Sequence, residues 1–384
     1  MTGSSSLERS LGLREVLAAD GAVVEGAREF SVELAASLYR HMRRVRRVDE
    51  RFAMLQRQGR IGFHGSCTGQ EAPPVAAALA LAPTDWVFPA LRESALLLTR
   101  GFPLGALLAQ AFGNRLDNTK GRQMPSHAAS RAFRYVSWSS AIGTQLPHAV
   151  GAALAAKRRR SEEVMLAFLG DGATSHPDFH AALNFSGVFR APVVFVCQNN
   201  GYAISVSTAR QTASKTFAVK AHAYGVSADR VDGNDALAVF ACLSDAIAEA
   251  RRGAGPSFVE CVTYRMGPHS SSDDPSRYRS AAEVEAFARK DPIARLGRHL
   301  MARKAWSAAD DERLDLEIDA EFDRELARVE GAGPPERDSL FDDVYSTLPW
   351  HLVEQREECR SAVRHVSAVC TGSDEAAPLG NRQE

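Results

Sequence analysis

The run "VMLAFLGDGATSHPDFHAALNFSGVFRAPVVFVCQNNGYAIS", Val164 to Ser205, places a helical pattern between two apolar segments. Val164 to Leu169 is apolar and stops at Gly170-Asp171-Gly172; Val193 to Cys197 is apolar and stops at Asn199-Asn200. Two short β-branched runs joined by a helical stretch read as a βαβ unit, with parallel strands covered on both faces. Ligands of such a sheet gather outside the carboxyl ends of its strands. Asp171 and Asn200 both stand there.

Their chemistry points to a metal-held phosphate compound. One carboxylate, one amide oxygen and a nearby backbone carbonyl are hard oxygen ligands too few to cage calcium. They suit magnesium, which takes its other ligands from water and substrate phosphates. Gly170 and Gly172 allow a tight turn and a close backbone approach. A helix starting near Ser175 or His176 would aim its amino end, favourable to phosphate, at the same place. The other phosphate signatures are missing: no G-x-x-x-x-G-K-[ST] occurs, and "GDGATS" departs from G-x-G-x-x-G at its last position.

Outward from this unit, the α/β alternation extends from about residue 59 to 265, with a further clear strand at Ser257 to Thr263. "RVDGNDALAVFACLSDAIAEARRG" reads as a strand end, a turn at Gly233, a cap at Asn234 or Asp235, and a helix stopped by Gly253. The expected fold is α/β, doubly wound, with a mainly parallel sheet. Residues 1–30 read as a polar N-terminal arm free to wander or pack on a partner, 31–290 as the α/β domain, and 291–384 as a helical extension and tail. A helix is expected over 31–58, stopped by Gly59. Its basic run Arg43, Arg44, Arg46 and Arg47 reads as a solvated face.

The formal charge of −1 leaves no global field for nucleic acid or an anionic membrane. The six cysteines lack C-x-x-C or zinc-ligand spacing and read as reduced, buried thiols. The first residues lack the order of a secretory signal, and no apolar stretch reaches the roughly 18 residues of a membrane span. A soluble, cytoplasmic protein is expected, with Asn184-Phe185-Ser186 a chance glycosylation sequon.

A Gly-Asp-Gly followed one βα unit later by Asn-Asn resembles the thiamin-diphosphate motif. The resemblance spreads along the chain. "QGRIGFHGSCTGQEA", "KGRQMPSH", "SSAIGTQLPHAVGAALAAKR", "NNGYAIS", "RVDGND" and "TYRMGPHSSSDDPSRYRS" are similar, in order and spacing over about 34–360, to the alpha subunit of the 2-oxoacid dehydrogenase decarboxylating component. "SSDDPSRYRS" and "LFDDVYSTLPWHL" resemble the branched-chain members.

The resemblance implies the thiamin-diphosphate-binding fold. It also implies a tetramer of two alpha and two beta chains, with thiamin diphosphate across each alpha/beta boundary, and a lipoylated acyltransferase as the next partner. The implied reaction is oxidative decarboxylation of a branched-chain 2-oxoacid. By matching position, Asp171, Asn200 and the carbonyl of Tyr202 would hold magnesium. Arg92, Gly172 and Ala173 would meet the diphosphate. Ser140 and Ile142 would meet the cofactor's bent waist. Ser139, Thr144, Gln145 and the carbonyl of Ala141 match a potassium site. His269, the one catalytic residue carried over, would reach the terminal phosphate from a loop that is mobile without cofactor. Two cofactor-contact positions depart from the family: Leu91 stands where it usually has Tyr, and Gln198 where the branched-chain pattern often has Arg. Ser270 matches a position phosphorylated in mitochondrial relatives; no such regulation is expected here.

Rival readings are a pyruvate or acetoin enzyme of the same design, and a non-catalytic scaffold subunit. Among the other candidates, His176 and His180 read as a local polar contact before a zinc pair, and His64 and His127 as either cleft-lining or structural. Arg265, Tyr278 and Arg279 are expected to order the serine-rich loop.

Overall fold

The computed structural model describes residues 6–270 and 273–371, with Ser6 and 362–371 as backbone alone. Among the described residues seven strands form: β1 (Trp86–Phe88), β2 (Met165–Gly170), β3 (Val193–Asn199), β4 (Tyr202–Ala203), β5 (Val206–Ser207), β6 (Ser227–Asp232) and β7 (Ser257–Val262). Five of them make one wholly parallel sheet in the order β1-β2-β3-β7-β6. β4 and β5 form a separate antiparallel hairpin.

The uninterrupted apolar runs are explained by burial on both sides. Leu166, Phe168, Val194, Val196, Val259 and Cys261 point into one core cluster. Met165, Ala167, Leu169, Val193, Phe195 and Phe258, alternating with them, point into the other. A strand with two buried faces needs no polar positions. The second face is covered by the helices Gln145–Arg158 and Pro177–Phe189. Ala236–Arg251 lies on the first, capped by Asp235, whose side chain accepts from the Ala238 amide.

The N-terminal arm is laid against this chain's own sheet edge. Arg14 exchanges backbone hydrogen bonds with Arg230 and Asp232 at 2.9 and 3.0 Å, and Asp235 Oδ2 accepts from the amides of Val16 and Leu17 at 2.7 and 2.6 Å. The fully buried Arg295 on Pro292–Ala302 donates to Leu17 and Ala18 carbonyls and to Asp232. Arm and extension therefore share the core of the α/β layer.

The basic run of Val32–Arg57 is not a solvated face. The acidic helix Ala308–Glu330 lies along it. Arg43 and Arg47 make two-pronged contacts with Asp315 and Asp319 at 2.6–2.9 Å, and Arg44 reaches Glu321 at 2.8 Å. Arg43 and Arg47, four apart, meet Asp315 and Asp319, also four apart, which two matched helices allow. Each such partly exposed pair is worth about 0.2–1 kcal/mol. Phe52 and Phe322 add an edge-to-face contact at 5.9 Å beneath them.

Candidate active site

Four carboxyl-end segments meet at the top of the sheet: the turn after β1, Gly170–Asp171 after β2, Asn199–Asn200 after β3, and Thr263 onward after β7. Beyond Asp171 the chain makes a 3₁₀ turn, Asp171–Ser175, before the helix proper begins at Pro177 with His176 as its cap. The helix thus starts within two residues of the expected Ser175 or His176. Gly172 is required by the close approach of the hairpin, since a Cβ there would sit 2.6 Å from that of Ala203. Gly201, at φ +88°, turns the chain from Asn200 back to Tyr202.

Asp171 is 1% exposed, and burial pushes its pKa up. Its Oδ2 accepts from Gln211 Nε2 at 2.6 Å, but it has no ion-pair partner among the described residues. Asn200 Nδ2 donates to Gln70 Oε1 at 2.9 Å, which turns the amide nitrogen away and leaves Oδ1 for other use. That oxygen accepts only a 3.2 Å contact from the Tyr202 amide. Among the described residues no group of three or more His, Cys, Asp or Glu gathers as a metal cage. A desolvated carboxylate, an oriented amide oxygen and a carbonyl fit a cation that brings its remaining ligands with it.

Buried cationic groups lie alongside. Arg92 is buried and has no carboxylate partner among the described residues; it donates to the carbonyls of Ser66 and His269, the latter at 2.8 Å, and lies 3.3 Å from His269 Nδ1. Burial, reinforced by the like charge of Arg265, lowers its pKa to about 10. Arg265 is 1% exposed and likewise lacks a carboxylate partner among the described residues; its Nη2 donates to Ile204 O at 2.8 Å and to Tyr278 OH at 2.9 Å. Two buried guanidiniums and one buried carboxylate, none of them in an ion pair among the described residues, have the chemistry to answer a metal-bound diphosphate.

The loop bearing His269 is cross-braced by polar groups. Asp273 Oδ2 accepts from the His269 amide at 2.6 Å and from Tyr278 OH at 2.5 Å, while Arg279 donates to the carbonyls of Met266 and Gly267 at 2.8 Å. Arg265, Tyr278 and Arg279 order the loop, as expected. The order that apolar burial cannot supply there is supplied by hydrogen bonds; Ser271 and Ser272 lie outside the described residues.

The remaining candidates separate. Ser140 Oγ meets His127 Nε2 at 3.0 Å, and His127 stacks on Trp138 at 3.8 Å, so His127 belongs to the wall near Ser140. Ile142 is 58% exposed. Ser139, Ala141 and Thr144 share one turn, where Thr144 Oγ1 donates to the Ala141 carbonyl at 3.0 Å; Gln145 instead gives its amide to Phe168 O at 2.7 Å. His64 is held by Asp49 at 2.6 Å in a structural role. His180 meets Tyr224 OH at 2.6 Å and His176 caps its own helix, so they form no zinc pair. Gln198 is turned inward to Glu93 and does not face the cleft as a phosphate donor, and Leu91 packs by Gly65. Gln70, Glu93 and Gln211 were not among the sequence candidates. Gln70 lies in a quoted segment, whereas Gln211 sits in a polar stretch whose pattern carries no signal.

Comparison with known proteins matches residues 39–337 to the family described as the dehydrogenase E1 component. Among curated relatives, the chain is 41% identical over 336 residues to the 2-oxoisovalerate dehydrogenase subunit alpha 2, mitochondrial, of Arabidopsis thaliana, covering 87% of this chain and 71% of that one. It is 39% identical over 362 residues to that plant's subunit alpha 1, mitochondrial, covering 94% and 77%. It is 42% identical over 338 residues to the 3-methyl-2-oxobutanoate dehydrogenase subunit alpha of Mycobacterium tuberculosis, covering 87% and 89%. The mitochondrial designation of the plant relatives overturns the expected cytoplasmic location. No described helix is long and apolar enough to cross a membrane.

Proposed function

Because the chain belongs to the dehydrogenase E1 component family, we propose that it is the alpha subunit of a branched-chain 2-oxoacid dehydrogenase, an oxidoreductase using thiamin diphosphate and magnesium. The single observation that carries the site assignment is the burial of Arg92, Arg265 and Asp171 together, none of them in an ion pair among the described residues. A scaffold subunit has no physical reason to maintain such unpaired charges, which are costly unless a ligand answers them. The substrates for which the relatives are named, 2-oxoisovalerate and 3-methyl-2-oxobutanoate, favour a branched-chain acid over pyruvate or acetoin.

In this reading Asp171, Asn200 Oδ1 and the Tyr202 carbonyl hold the magnesium, and Arg92 and His269 grip the diphosphate, with backbone contacts from Gly172 and Ala173. Ser140 and Ile142 meet the middle of the cofactor. The turn of Ser139, Ala141 and Thr144, with Gln145 at the start of the following helix, is the proposed potassium site that steadies this wall. When bound, thiamin diphosphate supplies the electron sink for loss of carbon dioxide. This chain's residues hold and orient it. The 58% exposure of Ile142 suits a wall completed by a beta subunit, and a lipoylated acyltransferase would receive the acyl group.

Co-expression with a candidate beta chain tests the assignment. The two should sediment as a tetramer of two alpha and two beta chains, with thiamin-diphosphate-dependent decarboxylation favouring 3-methyl-2-oxobutanoate over pyruvate in kcat/KM. A monomer indifferent to every candidate beta chain, or a preference for pyruvate, would count against it.

His269 gives a second prediction. Burial first, then the charges of Arg92 and Arg265, lower its pKa from 6.5 to about 4. Such a histidine is neutral near pH 5.5, and in the free protein it opposes folding only as pH falls below 6.5. A diphosphate placed between these groups reverses the local field and raises its pKa. Cofactor binding near pH 5.5 should therefore take up protons, seen as a buffer-dependent heat in calorimetry. In His269→Asn the uptake should vanish; uptake unchanged in that variant would remove His269 from the site.

A further inference from the structure

Arg92 needs an anchor that its own strand cannot provide. β1 is only three residues long and lies at the edge of the sheet, with Arg92 four residues past its end. What fixes the turn is Glu93, 1% exposed, whose Oε2 accepts from the amides of Ala90 at 2.7 Å and Arg92 at 3.2 Å. Its other oxygen, Oε1, accepts from Gln198 Nε2 at 2.5 Å. Gln198 is 4% exposed on the central strand β3, paired in register with Gly170 on one side and Cys261 on the other, two residues before Asn200. The carboxylate acceptor settles which end of the amide faces Glu93, and leaves Gln198 Oε1 without a hydrogen-bond partner among the described residues.

We infer that Glu93 and Gln198 form a latch that positions Arg92 for the diphosphate by tying the turn after β1 to the strand that carries Asn200. It rests on the reading of Arg92 as a diphosphate contact. Glu93 and Gln198 are positioning residues; neither touches the cofactor. Gln198 thus works at one remove from the ligand, through a hydrogen bond that needs no charge of its own. The geometry suits only an acceptor pair at position 93 and a donor at 198, or the same groups exchanged. In the exchanged pair, a Gln at 93 accepts the Ala90 and Arg92 amides on its single oxygen and donates its nitrogen to a Glu at 198. Every bond of the latch survives, and the second carboxylate oxygen takes the place of the unpartnered amide oxygen.

The test uses the tetramer assembled with the beta chain and reads the calorimetric affinity for thiamin diphosphate with magnesium. Gln198→Glu alone sets two buried carboxylates against each other and should weaken binding roughly ten- to hundredfold, the scale of one buried hydrogen-bonding group left unsatisfied. Combining it with Glu93→Gln should bring the affinity back to within about threefold of the native value, as expected for partners that interact directly. In an Arg92→Met background Gln198→Glu should cost nothing further, because its effect runs through Arg92; a general packing defect would add instead. If Gln198→Glu does not fold, the exchanged pair carries the test alone. Near-native affinity there supports the latch, and a tenfold loss overturns it. An Arg92→Met variant that binds as tightly as the native protein overturns both the latch and the diphosphate reading. Arg92→Met weakening with no rescue by the exchange overturns the latch alone.

Discussion

Asp171→Ala should abolish magnesium-dependent binding of thiamin diphosphate to the complex assembled with the proposed beta chain, with an affinity loss on the order of a thousandfold, while Asp171→Asn should retain a weak remnant. The carboxylate is the one negative ligand in the set and is almost wholly desolvated, so its attraction for a cation is little screened. Truncating one partner of such a buried charge pair costs about 2–5 kcal/mol. Asn keeps one oxygen in the same place and keeps an acceptor for Gln211, which now donates to Oδ2. The same substitution acts oppositely without cofactor. Burial disfavours the Asp171 charge, as the raised pKa records; hydrogen bonds and the charge of Arg265 offset this in part, and no ion pair forms with it among the described residues. Asp171→Asn should therefore raise the thermal midpoint of the cofactor-free protein while weakening the loaded one. Calorimetry and thermal melts on the same samples would decide it. Unchanged cofactor affinity in Asp171→Ala removes the metal assignment, and a lowered midpoint in cofactor-free Asp171→Asn removes the claim that this charge is held uncompensated for a ligand.

The parts of this molecule that were legible beforehand are those whose physics is local. Short apolar runs at Val164 and Val193, closed by glycine and asparagine, read as doubly buried parallel strands, and the residues closing them, Asp171 and Asn200, then fall at the sheet's ligand-binding end. The arginine run from Arg43 to Arg47 was misread because its answer lies about 270 residues later, on Ala308–Glu330. One helix cannot reveal that its polar face will be covered by charge and not by water. The N-terminal arm was misread for a like reason: its backbone donors at Val16 and Leu17 find Asp235, a residue whose helix-cap role was visible and whose second role was not. Gln198 shows a subtler limit. Its place at a strand end, two residues before Asn200, suggested a contact to the ligand, yet its amide is spent on Glu93 in the turn after β1, a partner 105 residues away that no local pattern reveals.

Arg92→Met should weaken thiamin-diphosphate binding by roughly thirty- to hundredfold, and Arg92→Lys by about tenfold, because charge-assisted hydrogen bonds to phosphate are worth about 1.5–3 kcal/mol. The reasoning starts from what the guanidinium does without ligand. It spends its donors on the carbonyls of Ser66 and His269, neutral acceptors that do not answer a buried charge, and the neighbouring Arg265 opposes it. A diphosphate supplies the missing counter-charge to both arginines at once. Arg92 should therefore contribute more to binding than a surface arginine would, and lysine should fall short because a point charge cannot keep two separated carbonyl contacts and a phosphate together. Met fills much of the same volume without charge, relieves the repulsion on Arg265, and removes the hydrogen bond that holds His269 O. The loss of affinity should consequently be accompanied by faster amide exchange at His269 in the cofactor-free protein. Binding measured across a salt series separates this from a packing defect: the native protein should lose affinity with added salt more steeply than Arg92→Met, since one charge fewer faces the anion. Parallel salt dependences would mean that Arg92 does not meet the diphosphate, whatever the size of the affinity change.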